Sequence, residues 1–301
     1  MKWTLIALSL TTNAFAANCD YSFSLSNISI DWSKKDSIVP VNINVNQGSV
    51  RNCNRYFLTF SKGTANSYDR KMSNTYSGHL LYNIYSDSSA TKVLKDKSDI
   101  INSNDYLANS FKHGYATSTF HTKLLVPTDT NAPLIRGGLY QDTVVVSLYD
   151  KRPSQSHTLQ GQKTFVVQTY VPKIVDISLV DVGAPFDIND TSQTLDFGEL
   201  ETGEERSFDL RVQANAGYAI FFDSQNKGKM VNASGDKVNY TLTVDSATKS
   251  LTNANSNAAS GTGVTVPGGK AHRVTVKIGN VNGQKYGQYA DYITVTAMTT
   301  E

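Results

Sequence analysis

The chain has 301 residues, with 28 Lys and Arg against 26 Asp and Glu and a formal net charge of +2, and its basic residues are scattered along the sequence. That balance supplies no basic stripe for nucleic acid or for an anionic membrane surface. No stretch approaches the ~20 consecutive apolar residues of a membrane-spanning helix.

Lys2, the apolar run Trp3 to Leu10 and the small residues Ala14 to Ala16 have the order of a secretory signal peptide. Residues 1–16 are therefore expected to be removed on export, leaving a soluble protein that begins near Ala17. The remainder, roughly 285 residues, suits two domains of about 130 to 150. Cys19 and Cys53 are the two cysteines, and in an oxidising compartment they most simply form one disulfide. A metal reading has little behind it, because two thiols without a nearby His make half a tetrahedral site.

Period-2 apolar patterning with β-branched and aromatic residues predicts an all-β chain. In the first half the strands fall near Tyr21 to Trp32, Ile38 to Asn46, Arg55 to Ser61, His79 to Asp87, Tyr115 to Val126, Leu139 to Tyr149 and Lys163 to Val171. Pro172 cannot continue a central strand, so it marks a boundary between domains at 17–171 and 172–301. The second half reads as strands near Ile174 to Val182, Thr194 to Leu200, Arg206 to Gln213, Tyr218 to Asp223, Lys237 to Val244, Lys270 to Ile278 and Gln288 to Met298. Two stretches stand apart. Thr91 to Gly114 carries apolar residues at near-helical spacing and reads as a short helix or an irregular loop, while Asn253 to Gly263 is small and polar and reads as a flexible loop.

Catalytic patterns are missing. His79, His113, His121, His157 and His272 are dispersed, and none sits in a zinc or hydrolase motif. Asp187 to Gly198 begins like a calcium loop but lacks the glycine at its sixth position and the glutamate at its twelfth. The chain is read as a non-enzyme with no cofactor.

A nine-residue pattern closes both halves: "GLYQDTVVV", Gly138 to Val146, and "GQYADYITV", Gly287 to Val295. After the first copy comes another apolar stretch, "TFVVQTYV", whereas after the second the sequence has six residues left. An apolar sheet edge left open in solution is an aggregation site. Either the second half is a complete six-strand sandwich, or another polypeptide brings its seventh strand.

These closing motifs, with "TLDFGELETGEERSFDLRVQANAGYAIFF" (Thr194 to Phe222) and "VNYTLTVDS" (Val238 to Ser246), resemble the spore coat protein U domain found in subunits of archaic, Csu-type chaperone-usher fimbriae. The resemblance covers Leu195 to Thr300, and in the first half it rests on the closing motif, the cysteine pair and the strand count. It implies two immunoglobulin-like β-sandwich domains, the C-terminal one a pilin domain lacking its last strand. A periplasmic chaperone lends that strand, and after passage through an outer-membrane usher the N-terminal extension of the next subunit replaces it. The accepting edge would be Tyr289, Tyr292, Ile293, Val295 and Met298. Ala17 and Asn18 alone precede Cys19 in the expected mature chain, too short a donor strand, which implies a two-domain tip adhesin at the cell surface, active in adhesion and biofilm formation. The alternative is a minor pilin or structural, spore-coat-like protein.

Alternating strand direction places Gln47 to Asn54, Ser88 to Gly114 and Asp150 to Gly161 at the end of the first domain that carries Cys19 and Cys53. Ile100, Ile101, Tyr106, Leu107 and Phe111 then form either an apolar tip for an abiotic or host surface, or a packed cover on the sandwich end. A glycan is the second ligand class, with Tyr106 the one aromatic of those loops suited to stacking on sugars.

Overall fold

Buried and exposed side chains alternate along most strands, as sheets with one covered face require. The computed structural model describes residues 19–49, 53–127, 134–253 and 256–300, and the expected signal peptide at 1–16 lies outside them. The chain divides into two compact units, one of residues 1–72, 81–125 and 141–168 and one of residues 73–80, 126–140 and 169–301.

The first half holds β1 (Tyr21–Ser24), β2 (Ile28–Ile30), β3 (Val39–Gln47), β4 (Arg55–Phe60), β5 (Lys71–Ser73), β6 (His79–Tyr85), β7 (Leu107–Ser110), β8 (Tyr115–Leu124), β9 (Gly138–Asp150) and β10 (Leu159–Val171). They are ordered β1-β3-β8-β6-β5-β9-β10-β2, with β4 between β9 and β7. The sheet folds over on itself as a sandwich. Phe120 on β8 meets Phe60 on β4 at 5.1 Å and Phe165 on β10 at 6.2 Å between ring centroids, and the Tyr56 and Ser118 hydroxyls share a hydrogen bond of 2.8 Å. Cys19 and Cys53 are joined by a disulfide with their Cα atoms 5.6 Å apart.

The second half holds β11 (Val175–Val180), β12 (Glu205–Ala214), β13 (Tyr218–Ser224), β14 (Lys229–Val231), β15 (Lys237–Val244), β16 (Ala247–Lys249), β17 (Ser256–Gly261), β18 (Lys270–Ile278) and β19 (Ile293–Thr299). One sheet runs β11-β12-β18-β15-β14 with β16 beside β15, and the other runs β17-β13-β19. Leu210, Val212, Ile220, Phe222, Leu242 and Val274 fill the core between them. A polar chain runs from the core to the surface: buried His272 on β18 lies 2.8 Å from the Tyr218 hydroxyl and 2.6 Å from the exposed Asp245 carboxylate.

Three stretches differ from the sequence expectation. Thr194 to Leu200 belongs to no strand, although Leu195 and Phe197 pack against the core. Within Asn253 to Gly263 the chain forms β17, paired with β13. Between Thr91 and Gly114 there is no α-helix among the described residues but a 3-10 turn, Lys97–Asp99, and the strand β7. Asp96 caps the 3-10 turn by accepting from the Lys97 N–H at 2.6 Å, and Asp105 accepts from the Ile101 N–H at 2.8 Å and the Asn102 N–H at 3.0 Å, which holds the chain after the turn in a loop.

Candidate functional site

The repeated closing motif performs the same structural task twice. Its tyrosine donates to the carbonyl four residues before it, Tyr140 to Arg136 at 2.9 Å and Tyr289 to Lys285 at 2.8 Å, the hydrogen bond of a tyrosine corner. Its aspartate gathers donors from neighbouring segments. Asp142 accepts from the Tyr82 hydroxyl at 2.6 Å, the Thr64 hydroxyl at 2.6 Å and the Thr64 N–H at 2.9 Å. Asp291 accepts from the Tyr240 hydroxyl at 2.6 Å, the Ser224 hydroxyl at 2.6 Å and the Asn226 N–H at 3.0 Å. Burial, reinforced by the carboxylate that needs the proton, pushes both the Tyr82 and the Tyr240 hydroxyls well above the ordinary phenol range. The pattern is visible in sequence, but these roles depend on partners more than 50 residues away in chain order.

The two copies part company at the strand beyond them. β10 lies between β9 and β2, and in the adjoining β9 Val144, Val146 and Leu148 are wholly buried. At the matching positions of β19, Ile293, Val295 and Ala297 are only half-buried, and β19 ends its sheet. Alongside β19 runs a groove of about 530 Å³. Leu179 of β11 and the extended residues 193–197 line its other side, and core residues Phe208, Phe222, Leu242 and Val276 reach its floor. Of the residues expected at an accepting edge, Tyr289, Tyr292, Ile293 and Val295 line the groove. Met298 is exposed on the alternate face of β19, opposite Ala219 in register.

Residues 5–147 match the family model described as Spore Coat Protein U domain. That stretch, a little under half of the chain, is similar to a Spore Coat Protein U domain. The match falls on the half where the sequence resemblance was thinner, not on Leu195 to Thr300, and it takes in the cysteine pair and the first closing motif. It ends within β9, so β10 lies beyond the matched domain. Among curated proteins, none matches the chain. Solved structures that are similar include a chain of a CsuC-CsuE chaperone-tip adhesion subunit pre-assembly complex from archaic Csu pili of Acinetobacter baumannii, at 14% identity and a TM-score of 0.38, covering 92% of this chain and 99% of that one. The CupB6 tip adhesin of Pseudomonas aeruginosa is 13% identical with a TM-score of 0.44, covering 93% and 95%. The CFA/I adhesin CfaE of enterotoxigenic Escherichia coli is 13% identical with a TM-score of 0.43, covering 92% of each chain.

At one end of the N-terminal half the loops converge on the disulfide. Gln47 donates its N–H to Gly114 at 2.8 Å, Phe111 donates its own to Asn54 at 3.0 Å, and the Phe111 ring lies 4.9 Å from Tyr21 and 5.0 Å from Tyr56. Of the five tip candidates, Ile101 stands out at 83% exposed, on a turn braced by Asp105. Ile100, Tyr106, Leu107 and Phe111 are half-buried, Tyr106 edge-on to Phe57 at 5.8 Å and Leu107 paired with Leu58 in β4. No group of three metal-ligating side chains occurs among the described residues, and none of their helices is long and apolar enough to cross a membrane.

Proposed function

We propose that the chain is the tip subunit of a chaperone-usher fimbrium, with a self-completed adhesive domain at 17–171 and a strand-accepting pilin domain at 172–301. The carrying observation is the contrast between β10, seated between β9 and β2, and the groove beside β19. A donor that inserts four apolar side chains gains about 1.5 to 3 kcal/mol from each, comparable in sum to the whole stability of a domain. On this reading a periplasmic chaperone fills the groove during export, the usher passes the subunit outward, and the donor strand of the next pilin takes the chaperone's place. The chain acts by binding, not by catalysis, at the cell surface. Ile101, with Ile100 and Leu107 beside it, offers an apolar contact for a surface, and biofilm formation follows from that attachment.

Gold labelling of the chain on assembled fimbriae tests the position. Label confined to distal ends is expected, and label along the whole shaft would instead make it a repeated structural pilin. Replacing Ile100, Ile101 and Leu107 with polar residues should reduce attachment while leaving the fimbriae intact. Unchanged attachment would remove the adhesive assignment.

A further inference from the structure

A second concavity, of about 290 Å³, lies in the N-terminal unit, where β4, β7 and the turn after β9 meet. Arg55, Lys151 and Arg152 line it, together with Asn109 and Ser110. Backbone bonds bring these distant residues together. Arg55 pairs with Ser110 in the β4–β7 register, and the Lys151 N–H donates to the Arg55 carbonyl at 2.9 Å. Lys151 holds φ at +63°, in the left-handed region that non-glycine residues rarely adopt. Asn109 is oriented by donating to the Thr117 carbonyl at 2.9 Å and accepting from the Ser110 N–H at 2.8 Å.

Three of the seven residues that line this pocket are cationic and none is acidic. Some cations of the chain are paired with carboxylates, as in Lys62 with Asp99, Lys95 with Asp105 and Arg273 with Asp209. Arg55, Lys151 and Arg152 have no such partner among the described residues, and no acidic side chain lines the pocket. The nearest in sequence, Asp150, is 3% exposed and accepts from the Thr158 N–H at 2.5 Å. Three unpaired cations at one concavity repel one another, and an anion among them relieves that repulsion. Two guanidinium forks suit a group with two or three acceptor oxygens.

We propose that this pocket binds the acidic unit of a saccharide, its carboxylate or sulfate held by Arg55, Lys151 and Arg152 and its hydroxyls by Asn109 and Ser110. The volume fits one sugar unit. The cations gather at one cavity and form no track of the kind nucleic acid or a membrane surface needs. Recognition by charge also removes the need for stacking aromatics. The inference is independent of the strand-accepting reading of the C-terminal unit.

Titration calorimetry of the full chain with glucuronic acid, galactose 6-sulfate, glucose and inorganic sulfate tests it. Saturable, salt-sensitive binding of one or both acidic sugars is expected, glucuronic acid marking a carboxylate site and galactose 6-sulfate a sulfate site. Arg152→Gln and Lys151→Gln should each weaken that binding about tenfold, the scale of one lost charge-assisted hydrogen bond. Both replace exposed side chains, so unfolding should be unchanged. The control Lys277→Gln, on β18 and paired to Glu205, should bind as the parent does. Glucose binding equally well, no sugar binding, or full binding by both pocket variants would overturn the proposal. Inorganic sulfate binding as tightly as the acidic sugars would reduce the pocket to a simple anion site and overturn the saccharide.

Discussion

The Tyr240 hydroxyl donates to Asp291 at 2.6 Å, and the same bond joins Tyr82 to Asp142 at 2.6 Å in the other half of the chain. One residue type at one place in a repeated motif thus ties each copy of the motif to a strand with which it forms no ladder. The surroundings differ, because Asp142 is 2% exposed while Asp291 is half-buried. Removing a buried acceptor strands its donors at about 1 to 3 kcal/mol for each orphaned group. Asp142→Ala should therefore lower stability in urea unfolding by several kcal/mol, and Asp291→Ala by less, since water can reach its donors. Equal losses would mean that burial does not set the cost.

The two faces of β19 should behave oppositely. Val295 lines the groove and Met298 does not, so Val295→Arg should abolish capture of an apolar donor peptide while Met298→Arg preserves it. Phe165 in β10 is 1% exposed, and Phe165→Ala should cost about 3 to 5 kcal/mol as a core truncation. Peptide-binding and unfolding measurements on the three variants check this together. Capture that survives Val295→Arg would place the binding elsewhere.

Acid should weaken the C-terminal unit through Asp209. Burial pushes its carboxyl up, but the Arg273 guanidinium at 2.6 Å and the Gly183 N–H at 2.7 Å outweigh that and hold it below the usual carboxylate range. A carboxyl lowered on folding contributes stability that is complete above the unfolded value of about 3.9 and is lost as pH falls through the lower folded value. In the other direction, burial first and then the nearby Asp245 charge push the Tyr218 hydroxyl up to about 12. That contribution is complete below the unfolded phenol value of about 10 and disappears as pH rises through the folded one. Melting followed against pH should therefore show both flanks. Asp209→Asn should flatten the acid flank, and an unaltered one would show that Asp209 is not its source.

The all-β class and most strands were legible in the sequence because alternation reports burial directly. Alternation does not report pairing. Leu195 and Phe197 turn toward the core from a segment with no ladder of its own, so the period-2 signal was real and the strand was not. β17 failed in the opposite sense: "SNAASG" has weak strand propensity, yet it is held on the edge of β13, with Gly261 packed against the Tyr218 ring. In the groove, the contributions of β19 were readable from the motif, whereas Leu179 and the floor residues required knowing which strands face each other. The cationic pocket left no local signal, since Arg55 and Lys151 are distant in sequence and meet through a backbone bond.

On the proposed function, the groove beside β19 holds a strand from another polypeptide. The most direct measurement is calorimetric melting of the full chain with and without a donor strand of alternating apolar residues fused after Glu301. A rise of the C-terminal unit's transition by more than about 10 °C is predicted, since the several kcal/mol supplied by the inserted side chains shift a domain of this size by about 2 to 4 °C per kcal/mol. The transition of the N-terminal unit, with β10 already in place, should stay where it is. Superimposable melts of the two proteins would show that the C-terminal unit takes no such strand.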